Sequence, residues 1–134
     1  MKDSLNRRNF ISTTAMAGAA LAGAPMLQAQ SKLSGDTIKV AVIGCGGRGS
    51  GALKNFMDAC KLLGTKPEIV ALADAFEDRV SGLAKQHNVP AELQFTGYEA
   101  YKKALATDCE YVIMATPPGF RPVHIAAAVD AGKH

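Results

Sequence analysis

A chain of 134 residues has room for one ordinary domain and not for two. With 48% apolar and 20% charged residues it is neither disordered nor collagen-like, and three cysteines make no disulfide framework. The net charge of +3 is too small for a nucleic-acid binder, and residues 1–29 (Lys2, Arg7 and Arg8 against Asp3) carry +2 of it, so the remainder is close to neutral.

The first segment reads as an address. Asn6-Arg7-Arg8-Asn9-Phe10-Ile11 precedes a mild apolar stretch, Ala15 to Leu27, rich in Ala and Gly. A charged start, a short apolar middle and a small-residue exit make a cleavable export signal, and the paired arginines resemble the twin-arginine type. Leu27-Gln28-Ala29 is the expected cleavage site, because Pro25 should block processing after Ala24. The uncharged run from Phe10 to Ser31 has a centre of Ala, Gly, Ser and Thr, which argues against a stable membrane anchor. Residues 1–29 are therefore assigned to the signal, 30–36 to a linker and 37–134 to the domain. The protein is expected in the periplasm or outside the cell, and its first partner would be the twin-arginine export machinery. That route carries proteins already folded, so the cysteines need not pair.

From Thr37 the pattern alternates. Thr37–Ile43 is a β-branched apolar run, expected as a buried strand. Ser50–Leu63 is expected to be helical, with Leu53, Phe56, Met57 and Cys60 on one stripe, Lys61 in the last turn and Gly64 after it. Glu68–Ala73 reads as a second strand, and Phe76–His87 as a second helix with Val80, Leu83 and Ala84 inward. A weak strand is expected near Leu93–Thr96, and Thr96-x-x-Glu99 reads as a capping box for a helix to Ala106. Glu110–Ala115 is another strand; Pro122 opens a helix through Ala131, and Gly132 ends it. Strands alternating with helices predict an α/β fold, a Rossmann-type doubly wound parallel sheet of order 3-2-1-4. Ligands then bind beyond the carboxyl ends of strands one and four, where Gly44 and Thr116 face each other.

Strand one runs into Gly44-Cys45-Gly46-Gly47-Arg48-Gly49. Gly44, Gly46 and Gly49 have the G-x-G-x-x-G spacing of a dinucleotide-binding turn. Gly44 would permit the tight turn, Gly46 the approach of a pyrophosphate, and Gly49 close packing of helix on sheet. The helix N-terminus offers free N–H groups to phosphates, and Arg48 adds a positive charge. Asp74, 25 residues after Gly49, ends strand two where a ribose-binding acid belongs. Its charge repels a 2′-phosphate and no Arg follows directly, so NAD is favoured over NADP. Asp74 as a turn-forming acid is the competing reading. A P-loop is excluded because no Gly-Lys-Ser/Thr ends the glycine run. A methyltransferase also joins a glycine turn to an acid, but would place an acid where Val42-Ile43 stand. Thr116-Pro117-Pro118 stops strand four, and the backbone there walls the cleft.

The order of these segments, with Phe95-Thr96-Gly97-Tyr98-Glu99 and Ala131-Gly132-Lys133-His134, resembles the glucose-fructose oxidoreductase / inositol dehydrogenase / MocA family over residues 37–134. The resemblance implies the nucleotide-binding part of an NAD(P)-dependent oxidoreductase acting on sugars, cyclitols or related polyols. It assigns Gly44, Cys45, Gly46, Gly47, Arg48 and Gly49 to the pyrophosphate turn, Asp74 to the adenine ribose, and Thr116 and Pro117 to the nicotinamide half. Related exported proteins use bound NAD to oxidise a sugar transiently and cleave its glycosidic bond, so a glycoside hydrolase is an alternative; a methyltransferase-like or non-catalytic nucleotide-binding module is another. In the family the catalytic Lys lies in a Glu-Lys-Pro motif after a fifth strand, followed by an α+β substrate domain. This chain stops at His134, so it is read as an N-terminal fragment with no catalytic residue of its own.

Several residues are read as structural. The family's His comes soon after Thr-Pro, whereas His124 follows Gly119-Phe120-Arg121-Pro122, which looks like an insertion. His124 is thus expected on a helix surface or partly buried. Cys45, Cys60 and Cys109 lack metal-ligand spacing and are expected to fill small spaces, so no metal is predicted. Tyr98 and Tyr101 are expected in helix packing, and Lys102-Lys103 on a solvated face. No nucleic acid is expected as a partner, and the oligomeric state is left open.

Overall fold

A computed structural model describes residues 37–134. The expected signal and linker lie outside the described residues. The elements are strand β1 (Thr37–Ile43), helix α1 (Gly47–Leu63), strand β2 (Lys66–Asp74), helix α2 (Glu77–His87), a 3-10 turn (Ala91–Leu93), strand β3 (Gln94–Thr96), helix α3 (Ala100–Leu105), strand β4 (Tyr111–Met114) and helix α4 (Arg121–Asp130).

All four strands are parallel, in the order β3-β2-β1-β4. The predicted order holds. β1 is covered on both faces, which is why it reads as an unbroken apolar run. Val40 and Val42 pack with Leu53 of α1 and Val80 and Leu83 of α2. Ala41 and Ile43 point the other way, into a cluster with Ala71 and Ala73 of β2, Tyr101 and Ala104 of α3 and Ala128 of α4. The alanines leave room there for the buried Tyr101 ring. Register slips by one between Val40 and Ala41, so that Val70 of β2 has no partner on β1.

Several boundaries differ from expectation, and in three places the cause is local. α1 starts at Gly47 rather than Ser50, because the Ser50 N–H already reaches the Gly46 carbonyl, at 2.9 Å, and closes the first turn. The capping box at Thr96 does not form. Thr96 ends β3, Gly97 turns with φ +109°, and Glu99 takes the cap position of α3 without a side-chain cap bond; its carboxylate pairs with Lys102 instead. The segment read as an insertion is a turn leading into α4: the Phe120 N–H donates to Pro117, and Arg121 is already helical. Gly64 closes α1 with φ +70°, as its position predicts.

Candidate cofactor-binding cleft

A cleft of about 610 Å³ opens beyond the carboxyl ends of β1, β2 and β4. Gly44 forms its seam. Its φ of +97° belongs to glycine, and a Cβ built there would lie 2.8 Å from the Ala115 carbonyl group. The exits of β1 and β4 therefore touch. Gly49 is as constrained: a Cβ there would fall into the Gly44 carbonyl, 2.9 Å from its carbon.

Gly46 is different. Its backbone (φ −69°, ψ −173°) suits any residue, and a Cβ would meet nothing nearer than the Arg79 side chain at 3.9 Å. Neither strain nor packing requires glycine at this position. What its missing side chain leaves is open space at the N-terminus of α1, whose first turn holds no acid. The first-turn N–H groups of Gly47, Arg48 and Gly49 have no intrahelical acceptors, and the helix dipole makes this end positive. Residues and space fit the diphosphate of a dinucleotide.

Asp74 is buried, and both of its oxygens are engaged. Oδ2 accepts from the Cys45 N–H at 2.7 Å and Oδ1 from the Phe76 N–H at 3.1 Å. The acid thus builds the turn as well as facing the cleft. A carboxylate has about four lone-pair sites, so two remain for ribose hydroxyls.

The cleft wall contains Gly44, Gly46, Gly47, Arg48, Gly49, Asp74, Thr116 and Pro117. Cys45 does not line it. Its side chain sits in the core below, with Sγ against the Ala73 carbonyl at 3.5 Å. Burial, and next the Asp74 charge, push its thiol up to about 12, so it is no nucleophile at neutral pH. Only its main-chain N–H serves the site. No group of three or more metal-ligating side chains occurs among the described residues.

Sequence reasoning missed part of the wall. Arg79, five residues after Asp74, lies over the Phe76 ring at 4.7 Å and reaches toward Gly46. Its spacing of three from Phe76 at the start of α2 was a usable signal. His124 is not a surface residue. It is buried in the first turn of α4 and lines the cleft, its Nδ1 3.3 Å from the Thr116 hydroxyl and its ring 4.3 Å from that of Tyr101. Burial lowers its pKa from the ordinary value, against a smaller raising effect of Glu99, and favours the neutral ring. Tyr98 is exposed and precedes α3; it stacks on Phe120, centroid to centroid 6.1 Å, rather than packing inside a helix.

Comparison with known proteins agrees with the fold. The Gfo/Idh/MocA model, described as an oxidoreductase family with an NAD-binding Rossmann fold, matches residues 38–134. A glycosyl hydrolase family 109 protein of Shewanella pealeana is 30% identical, over 97% of this chain and 32% of its own length. The WlbA dehydrogenase of Chromobacterium violaceum, solved with NADH and UDP-GlcNAcA, superimposes with a TM-score of 0.57 at 21% identity, over 76% of this chain and 27% of that one. The aldose-aldose oxidoreductase of Caulobacter crescentus, solved with glycerol, gives 0.58 at 19%, over 73% and 28%. The chain spans between about a fifth and a third of the length of the curated relatives it matches.

Proposed function

The chain belongs to the Gfo/Idh/MocA oxidoreductase family, with an NAD-binding Rossmann fold, and from that membership we propose that it is the cofactor-holding part of an exported NAD-dependent enzyme acting on sugars, cyclitols or related polyols. The observation that carries the reading is Gly46, a glycine that nothing in the fold requires, beside the free N-terminus of α1.

The residues divide the work. The N–H groups of Gly47, Arg48 and Gly49 hold the diphosphate, with the Arg48 guanidinium beside it. The Asp74 carboxylate takes the adenine ribose and favours NAD, since a 2′-phosphate there would meet a fixed negative charge. Thr116 and Pro117 bound the nicotinamide half. Bound nicotinamide supplies hydride transfer. The substrate class is supported by the nucleotide-sugar and aldose enzymes that share the fold. Titration calorimetry of the chain with NAD and NADP tests the reading: NAD is expected to bind more tightly. Equal or tighter NADP binding would remove the cofactor assignment. No steady NADH production is expected from this chain with any polyol, because no Glu-Lys-Pro motif is present in it.

A second reading, an NAD-dependent glycoside hydrolase, is favoured by the family 109 relative. Hydrolysis would release the aglycone with no net NADH, whereas a dehydrogenase accumulates NADH, so the two are separated in one assay of the enzyme that contains this segment.

Export forms part of the proposal and rests on Arg7-Arg8 and the mild stretch behind them. Replacing both arginines by Lys is expected to block export, and the exported form should begin near Gln30. A full-length chain retained in the membrane would refute this.

A further inference from the structure

We infer that His124 is a positioning residue for the cofactor, acting through the hydroxyl of Thr116. The inference rests on the reading that a dinucleotide occupies the cleft. Thr116 is the second residue after β4, and its main-chain N lies 3.1 Å from where a Gly44 Cβ would be. Gly44, Gly46 and Thr116 line the same cleft, so a ligand seated at the glycine turn has Thr116 in the wall beside it.

Both polar ends of Thr116 are held by the same helix. Its carbonyl accepts from Arg121 Nε at 2.9 Å, and its hydroxyl lies 3.3 Å from His124 Nδ1. The imidazole is itself fixed. Its ring centroid lies 4.3 Å from that of Tyr101 and 6.1 Å from that of Phe120, and Phe120 rests on Tyr98 at the latter separation. A lone threonine hydroxyl would rotate freely among its rotamers. Here the ring nitrogen decides where the hydroxyl proton points, and so whether Thr116 offers the ligand a donor or an acceptor.

The test compares NAD affinity by calorimetry for the chain, His124→Phe, His124→Asn, Thr116→Val and the two doubles with Thr116→Val. His124→Phe keeps an aromatic ring on Tyr101 and loses Nδ1; His124→Asn keeps a polar atom near Nδ1 and loses the ring. His124→Phe and Thr116→Val are each expected to weaken binding about tenfold, and their double no further. His124→Asn should recover most of the loss. A packing role gives the reverse order, with Phe tolerated and Asn harmful. The inference is overturned if His124→Phe binds NAD within about twofold of the parent chain, or if its effect adds fully to that of Thr116→Val. Should His124→Phe fail to fold, the His124→Asn and Thr116→Val cycle decides: binding by His124→Asn that Thr116→Val leaves unchanged overturns it, and binding lost with Thr116→Val supports it. A parent chain that binds no NAD removes the function reading and this inference together, whereas normal binding by the parent and by His124→Phe removes this inference alone.

Discussion

Gly49→Ala is expected to cost about 3 kcal/mol of stability or more, the upper range for an overpacked interior. The added Cβ would fall into the Gly44 carbonyl. That group is main chain, and it cannot swing aside as a side chain would. It is also pinned from both directions, since the Gly44 N–H bonds Ala73 at 2.8 Å and the turn abuts Ala115. Relief would require α1 to lift from the sheet, taking Leu53 out of a site where it is fully buried. For a domain of about 100 residues, roughly 4–8 °C of melting temperature follows each kcal/mol, so the midpoint should fall by about 12–24 °C. Gly51→Ala serves as the control. Gly51 lies two residues further along α1 with nothing near its Cβ position, and alanine there should stabilise by about 0.5–1 kcal/mol. Equal melting temperatures for Gly49→Ala and the unaltered chain would show that the turn is not built as described.

Asp74→Ser is expected to act twice. A hydrogen-bonded carboxylate contributes about 1.5–3 kcal/mol, so NAD affinity should fall roughly ten- to hundredfold while NADP affinity falls less, which narrows the gap between them. The second effect is on the fold. The Cys45 and Phe76 N–H groups lose their acceptors, and a serine hydroxyl reaches one of them at most. A buried amide left unpaired costs about 1–3 kcal/mol. Urea unfolding without cofactor isolates that part, and calorimetry with NAD and NADP measures the rest. An unchanged ratio of the two affinities would mean that Asp74 serves the turn and not cofactor choice.

Much of this was legible in the sequence because it rests on local physics. β1 was predicted to the residue, since a strand covered on both faces must be apolar throughout. Gly44 and Gly49 announced themselves by spacing, and their separate constraints appear as two different close approaches. The failures have physical causes as well. The Thr96 box matched a motif, but Gly97 adopts a left-handed turn, and α3 begins only after it. His124, expected on a helix surface or partly buried, is more deeply buried than that, because Tyr101, 23 residues earlier, lies against its ring. Arg79 is not adjacent to Asp74 in sequence, and only one turn of α2 carries its guanidinium back over Phe76. In the sequence, turn and ribose are competing readings of Asp74; the structure shows both of its oxygens accepting from main-chain N–H groups of the turns, with lone pairs left over.

The bond from the Cys45 amide to Asp74 has a consequence in the time domain. This N–H is buried, it lies between the glycine turn and the end of β2, and its acceptor belongs to a different strand exit. Its proton can exchange with solvent only when those two exits part, so its exchange rate reports how often the floor of the cleft comes open. A ligand bridging the same two exits would slow that one proton more than the amides at the free start of α1, and a single resonance would follow the breathing of the whole seam.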